Sequence, residues 1–235
     1  MNNDLNPFAP KTFSDFAISD PVSRLLLENI VNGRLPFPMG GKSVLCIWGT
    51  YGSGKTCLAK LLPVWLESSG HLRKTPHAQC LWDAEFTHLT PCGSGSNSTS
   101  TMQDLHKRTA SEVCYSATGW HFEIFDEADL LTVAAQASLK AAITQAESTI
   151  FILTTNHPGR LDSGLRDRAH LIEMNQPAPD ELVEPGRRML RLMGLTGDEV
   201  SQDVLINLAN NSRGSMRDYC NSIAMVGMRH GGAIP

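Results

Sequence analysis

Residues 49–56, GTYGSGKT, carry the strongest chemical pattern in the chain. Gly49, Gly52 and Gly54 alternate with Thr50, Tyr51 and Ser53, and Lys55 and Thr56 close a full G-x-x-x-x-G-K-T. Glycines let successive backbone N–H groups turn inward around phosphate oxygens, where a Cβ would intrude. The lysine supplies a cation to β- and γ-phosphates, and the threonine hydroxyl supplies a ligand to Mg²⁺. Such a loop works between an apolar strand and the helix it opens, because the helix N-terminus adds its dipole to the anion site. SVLCIW at 43–48 reads as that strand and KTCLAKLLPVWLE at 55–67 as that helix. Pro63 is expected to kink the helix or break it in two.

A second chemical stretch is FEIFDEAD at 122–129. Asp126, closing an apolar strand, is placed to hold a Mg²⁺ shell, and Glu127 to orient and deprotonate an attacking water. Adjacent acids at a solvated strand end are the plainer alternative, but a phosphate loop upstream argues against it. The letters DEAD also mark a large helicase class. That class needs two motor domains, and its SAT triplet follows the carboxylates; here SAT at 116–118 precedes them, a coincidence. FILTTN at 151–156 ends a further strand in Asn156, at the edge where a γ-phosphate would lie; a turn-capping Asn is the bland reading. Arg166 and Arg168 precede the last strand, and Arg217 stands near the start of a late helix.

These residues need a scaffold of alternating strands and helices. Strands are expected at 43–48, 78–82, 122–125, 149–154 and 170–174, and helices at 55–67, 102–114 and 133–146. Residues 91–101, PCGSGSNSTST, have the composition of an exposed loop. Strands separated by helices imply a largely parallel sheet covered on both faces. From Gln176 onward only helical patterns follow, broken by Pro177, Pro179, the 194–197 turn and Gly214. The expected division is a core at 1–175 and a small helical domain at 176–235.

Composition narrows the class. The chain has 235 residues, of which 41% are hydrophobic and 19% charged, with a net charge of −4, which argues against a strongly basic nucleic-acid coat. Six cysteines without a C-x-x-C fit a reducing compartment, and no apolar run is long enough to span a membrane, so a cytoplasmic protein is expected. His77 and Cys80 with His88 and Cys92 can be read as a zinc set, but the two pairs are only seven residues apart and Cys80 falls in an expected strand. HLRKTPH at 71–77 can meet DNA phosphates, although a short basic loop is more often merely solvated.

Taken together, the chain resembles the AAA+ ATPases, and among them sliding-clamp-loader small subunits and the related branch-migration and fork-maintenance ATPases. The likeness runs from Pro7 to Arg229: FAPKTFSDFAISDPVSRLLLENIVNGRLP is similar to the family's N-terminal motif, and DEADLLTVAAQASLKAAI, with Ala135-Gln136, to its carboxylate strand and following helix. The resemblance implies a P-loop core with a five-stranded parallel sheet followed by a small helical lid, with ATP and Mg²⁺ bound between them. It further implies that Asn156 is a first sensor, Arg217 a second, and Arg168 an arginine finger reaching a neighbouring subunit, Arg166 being its competitor. Ala9 stands where the family often has Arg, Tyr51 where its loop has Pro, and the C-terminal collar of loader subunits is expected to be absent. The expected function is an ATP-hydrolysing switch working as a homo- or hetero-oligomer on DNA or a DNA-replication protein, with no membrane role. The alternatives are a helicase loader, a transposition regulator, or an assembly protein gated by nucleotide with little turnover.

Overall fold

The apolar runs form a five-stranded parallel sheet in the computed structural model of the protein. The structure describes residues 8–68, 87–93, 104–105, 107 and 119–234. Strands β1 (Val44–Trp48), β2 (Thr87–Pro91), β3 (His121–Asp126), β4 (Thr149–Thr155) and β5 (Ala169–Glu173) lie in the order β2-β3-β4-β1-β5. β4 is buried at all seven positions, as expected for an inner strand covered on both faces. Every strand runs the same way, so the carboxyl ends of β1, β3 and β4 share one edge, where ligands of open α/β sheets bind.

The helices are α1 (Pro21–Val31), α2 (Lys55–Ser68), α3 (Val133–Gln145), α4 (Ser163–Asp167), α5 (Val183–Leu192), α6 (Gln202–Asn211) and α7 (Met216–Arg229). α3 begins where Thr132 accepts the Ala135 N–H, an N-cap that satisfies an orphan donor. Gln136, buried on α3, donates to the carbonyls of Leu131 and Arg160 and accepts from the Asp162 N–H at 2.7 Å. One side chain thereby ties α3 to the segment leading into α4.

The chain forms two compact units. One contains residues 22–48 and 58–173, hence the sheet, and its core joins Cys46, Phe125, Leu139, Phe151 and Leu165. The other contains residues 1–21, 49–57 and 174–235. Its core is built from α5, α6 and α7 around Leu190, Leu205, Tyr219 and Ile223, with Phe8 and Ala17 packed against it. Within this unit Arg188 on α5 ion-pairs Asp15, and the Tyr219 hydroxyl donates to the Leu182 carbonyl at 2.7 Å.

Two expectations change. Pro63 does not break the helix: α2 continues through it to Ser68. The missing N–H costs one backbone hydrogen bond, while Leu58, Leu62 and Leu66 are fully buried along the same helix and outweigh it. The strand β2 at Thr87–Pro91 was not anticipated, because THLTP lies on the sheet edge and only half buries its side chains, leaving little apolar signal. The strand expected at 78–82, the 71–77 segment, the 116–118 triplet and most of the helix expected at 102–114 lie outside the described residues.

Candidate nucleotide-binding site

β1 runs directly into the loop at 49–56, and α2 opens at Lys55. Gly49 has no room for a side chain: a Cβ there would stand 2.2 Å from the Met174 carbonyl oxygen. Gly52, at φ 74°, is in the left-handed region, and a Cβ would meet the Ser215 Oγ at 2.7 Å. Lys55 is buried, and its Nζ donates to the carbonyls of Gly49 at 3.2 Å and Thr50 at 2.6 Å, which holds the ammonium over the loop. The Ser53 Oγ is buried without a hydrogen-bond partner, and Tyr51 is exposed. Thr56 is the second residue of α2.

The helical tail reaches this loop within the same unit. The Met216 N–H donates to the Gly52 carbonyl at 3.0 Å, and Ser215 caps α7 by accepting from the Asp218 N–H. Arg217, the second residue of α7, is therefore one position from a direct contact to the phosphate loop, with an exposed side chain.

The other unit holds the carboxylates. Asp126 is the last residue of β3, and Glu127 follows in a left-handed conformation, φ 59° and ψ 48°. The Thr154 hydroxyl donates to Asp126 Oδ1 at 2.5 Å and accepts from the Glu127 N–H at 2.9 Å. Thr155 donates to Asp129 Oδ1 at 2.7 Å, and the Asn156 N–H reaches the same oxygen at 3.3 Å. Asn156 Oδ1 is buried without a partner. Burial, and then the neighbouring Asp126, Asp129 and Glu127, push the Cys92 thiol up to about 12. Thr154, Thr155 and Asp129 escaped the sequence reading, although two hydroxyls closing the apolar run FILTT were a usable signal.

Arg168 lies at the opposite end of the sheet. It caps α4 immediately before β5, and its Nη1 donates to the Gly164 carbonyl at 3.0 Å, whereas Arg166 is exposed. Phe125 pairs Leu153, Leu153 pairs Cys46, and Cys46 pairs Leu171, so Arg168 is four residues and three strands from Asp126. At ~3.3 Å per residue and ~4.8 Å per strand, roughly 20 Å separate the two. Arg168 and Asp126 are not brought together within one chain. His88 lies on β2 and Cys92 is buried just after it; His77 and Cys80 are outside the described residues.

The residues present fit a nucleoside triphosphate with a divalent cation. Within the unit that holds the loop, the buried Ser53 Oγ lacks a partner, and a Cβ at Gly49 or Gly52 would fill the cradle. Asp126, ending β3, carries a carboxylate and Thr56, on α2, a hydroxyl, each of a kind that Mg²⁺ accepts as a ligand.

Fold and loop together define an α/β protein with an AAA+-like fold, its glycine-rich loop joining a strand of a parallel sheet to a helix. Thermotoga maritima RuvB, the Holliday junction branch migration motor, superposes with a TM-score of 0.65 at 20% identity, over 97% of this chain and 70% of that one. A substituted form of the same protein reaches 0.68 at 20% identity, and these likenesses show the fold. By sequence the chain resembles clamp-loader small subunits. It is 23% identical over 220 residues to the replication factor C small subunit of Thermoplasma acidophilum, covering 93% of this chain and 62% of the relative. It is 24% identical over 230 residues to replication factor C subunit 5 of Schizosaccharomyces pombe, covering 91% and 62%. The chain thus spans about three-fifths of the length of these relatives, 62%. No protein-family model matches it. Among the described residues no helix is long and apolar enough to cross a membrane.

Proposed function

We propose that the protein binds and hydrolyses ATP as a clamp-loader-like AAA+ switch in DNA replication, recombination or repair. In this reading residues 1–175 act as the nucleotide core and 176–235 as the lid. The loop at 49–56 takes the phosphates, with Lys55 exchanging its two carbonyl contacts for phosphate oxygens. Thr56 and Asp126 would hold Mg²⁺, which when bound neutralises charge developing on the phosphates. Glu127 orients the attacking water and accepts its proton, and Asn156, whose buried Oδ1 has no partner, acts as the first sensor. Arg217 reports nucleotide state to the tail it belongs to.

The single observation that carries this reading is the loop itself. Gly49 is packed against the Met174 carbonyl, Gly52 is left-handed, and Lys55 donates to the Gly49 and Thr50 carbonyls, with Ser53 buried and unpartnered. A glycine turn without a ligand has no reason to bury a lysine and orphan a hydroxyl.

Arg168 is proposed to act in trans, completing a neighbouring subunit's site, because roughly 20 Å separates it from Asp126 in its own chain. The partners are other subunits and DNA or a DNA-replication protein, by analogy with the relatives' names. Single-turnover hydrolysis with and without primed DNA tests this reading. It is supported by turnover that DNA stimulates, together with assemblies whose mass rises with a non-hydrolysable ATP analogue. Failure to bind ATP at all would end it.

A further inference from the structure

Two buried threonines close β4, and each grips the carboxylate turn. Thr154 and Thr155 are 1% and 0% exposed, at a strand end where apolar residues would pack as well. A hydroxyl has one hydrogen to donate, and both its uses are determined by its neighbours. An ionised carboxylate only accepts, so the Thr154 hydrogen goes to Asp126 Oδ1; a backbone N–H only donates, so Thr154 accepts from Glu127. The hydroxyl therefore cannot rotate without breaking one of the two. Thr155 is held the same way, donating to Asp129 Oδ1 and accepting the His157 N–H at 3.0 Å. Asp129 Oδ1 also takes the Asn156 N–H. Glu127 meanwhile keeps a left-handed backbone that a glutamate adopts only when its surroundings impose it.

We propose that Thr154 is a positioning residue that locks the Glu127 backbone and the Asp126 carboxylate, and that Thr155 and Asp129 extend the lock to Asn156. The proposal deepens the ATPase reading and rests on it for its consequence. A pull on Asn156 by a ligand passes through Asp129 and the two threonines to the residue that activates water. Without the Thr154 hydroxyl, the Glu127 N–H loses its acceptor, its left-handed turn relaxes, and the carboxylate leaves its line to the water.

The test compares Thr154→Val, which keeps the shape and loses both hydrogen bonds, with Thr154→Ser, which keeps both. Three quantities are read: hydrogen exchange at the Glu127 amide, the dissociation constant for ATP, and the single-turnover rate against Mg²⁺ concentration. In Thr154→Val the amide is expected to exchange faster and the rate to fall by roughly 10-fold or more, part of the roughly 10²–10⁴ that a positioned base contributes, with ATP affinity little changed. Thr154→Ser should restore both protection and rate. Asp129→Ala, at a half-exposed position, keeps the test open if Thr154→Val does not fold; its rate should fall while ATP affinity holds. Wild-type protection of the Glu127 amide in Thr154→Val, or an undiminished rate in either variant, overturns the proposal. A wild-type protein that binds no ATP, yet loses protection at Glu127 in Thr154→Val, sinks the ATPase reading and leaves the lock standing.

Discussion

Glu127 holds φ 59° and ψ 48°, a conformation that costs a residue with a Cβ roughly 1–2 kcal/mol. Strain of this kind persists where surroundings over-determine it, and here Thr154 does so from one side. Glu127→Gly should relieve it and raise stability to unfolding, by at most about 1 kcal/mol because glycine also loosens the unfolded chain. The same variant should lose hydrolysis, and a denaturant titration beside a phosphate-release assay checks both. Glu127→Gln separates the chemistry from the strain: it should bind ATP and leave it uncleaved, since an amide cannot take the water's proton. Lys55→Ala should instead lose nucleotide binding, as the cradle keeps its glycines and loses its cation. Equilibrium binding of a labelled ATP distinguishes the two, and near-normal turnover in Glu127→Gln removes that residue from its role.

At the scale of elements, the tail carries its own stabilising devices. Between α5 and α6, Glu199 accepts the Thr196 N–H at 2.8 Å and the Gly197 N–H at 2.9 Å. These hydrogen bonds, that from Thr196 foremost, lower its pKa from 4.5 to about 2. A folded-state pKa below the unfolded value adds stability above pH 4.5 that is lost as pH falls toward 2. Wild-type protein and Glu199→Gln should therefore differ in melting temperature near pH 6 and converge as the buffer is taken to pH 2.5. Deeper in the same unit, Tyr219→Phe removes the donor to the Leu182 carbonyl and leaves a buried acceptor unsatisfied. The expected loss is about 1–2 kcal/mol in a urea titration followed by a probe in the tail. A change within error would mean that water replaces the phenol.

At the scale of the whole molecule, the decisive feature is the separation of the arginines from the carboxylates. Arg168 and Asp126 occupy opposite ends of a parallel sheet, so a single chain cannot combine them. Arg168→Ala should bind ATP normally and hydrolyse it slowly; arginine fingers supplied in trans are worth on the order of 10³–10⁵ in GTPases. Mixed with Lys55→Ala, it should regain part of its activity, because some interfaces pair an intact loop with an intact arginine. Arg166 competes for the role: it is exposed, while Arg168 is drawn back onto Gly164. The same mixing test on Arg166→Ala decides between them. Activity per chain that stays constant on dilution, with no complementation from either arginine, would point to a monomeric switch.

What the sequence determined by itself was local and periodic. The glycine-rich loop between β1 and α2, the strand ending in Asp126, four strands and the helical tail were legible because each is written in consecutive residues with a spacing that one backbone geometry demands. The edge strand β2 was not legible, since a half-exposed THLTP looks like a loop until β3 pairs with it. Pro63 does not end α2, because burial of Leu58, Leu62 and Leu66 is a sum over neighbours that no local rule contains. Only the tertiary structure brought Thr154 to Asp126, Thr155 to Asp129, and Ser215 to Gly52. Hydrogen bonds between residues far apart in the chain form once the elements of each unit are packed in order and register, which no short stretch of sequence decides alone.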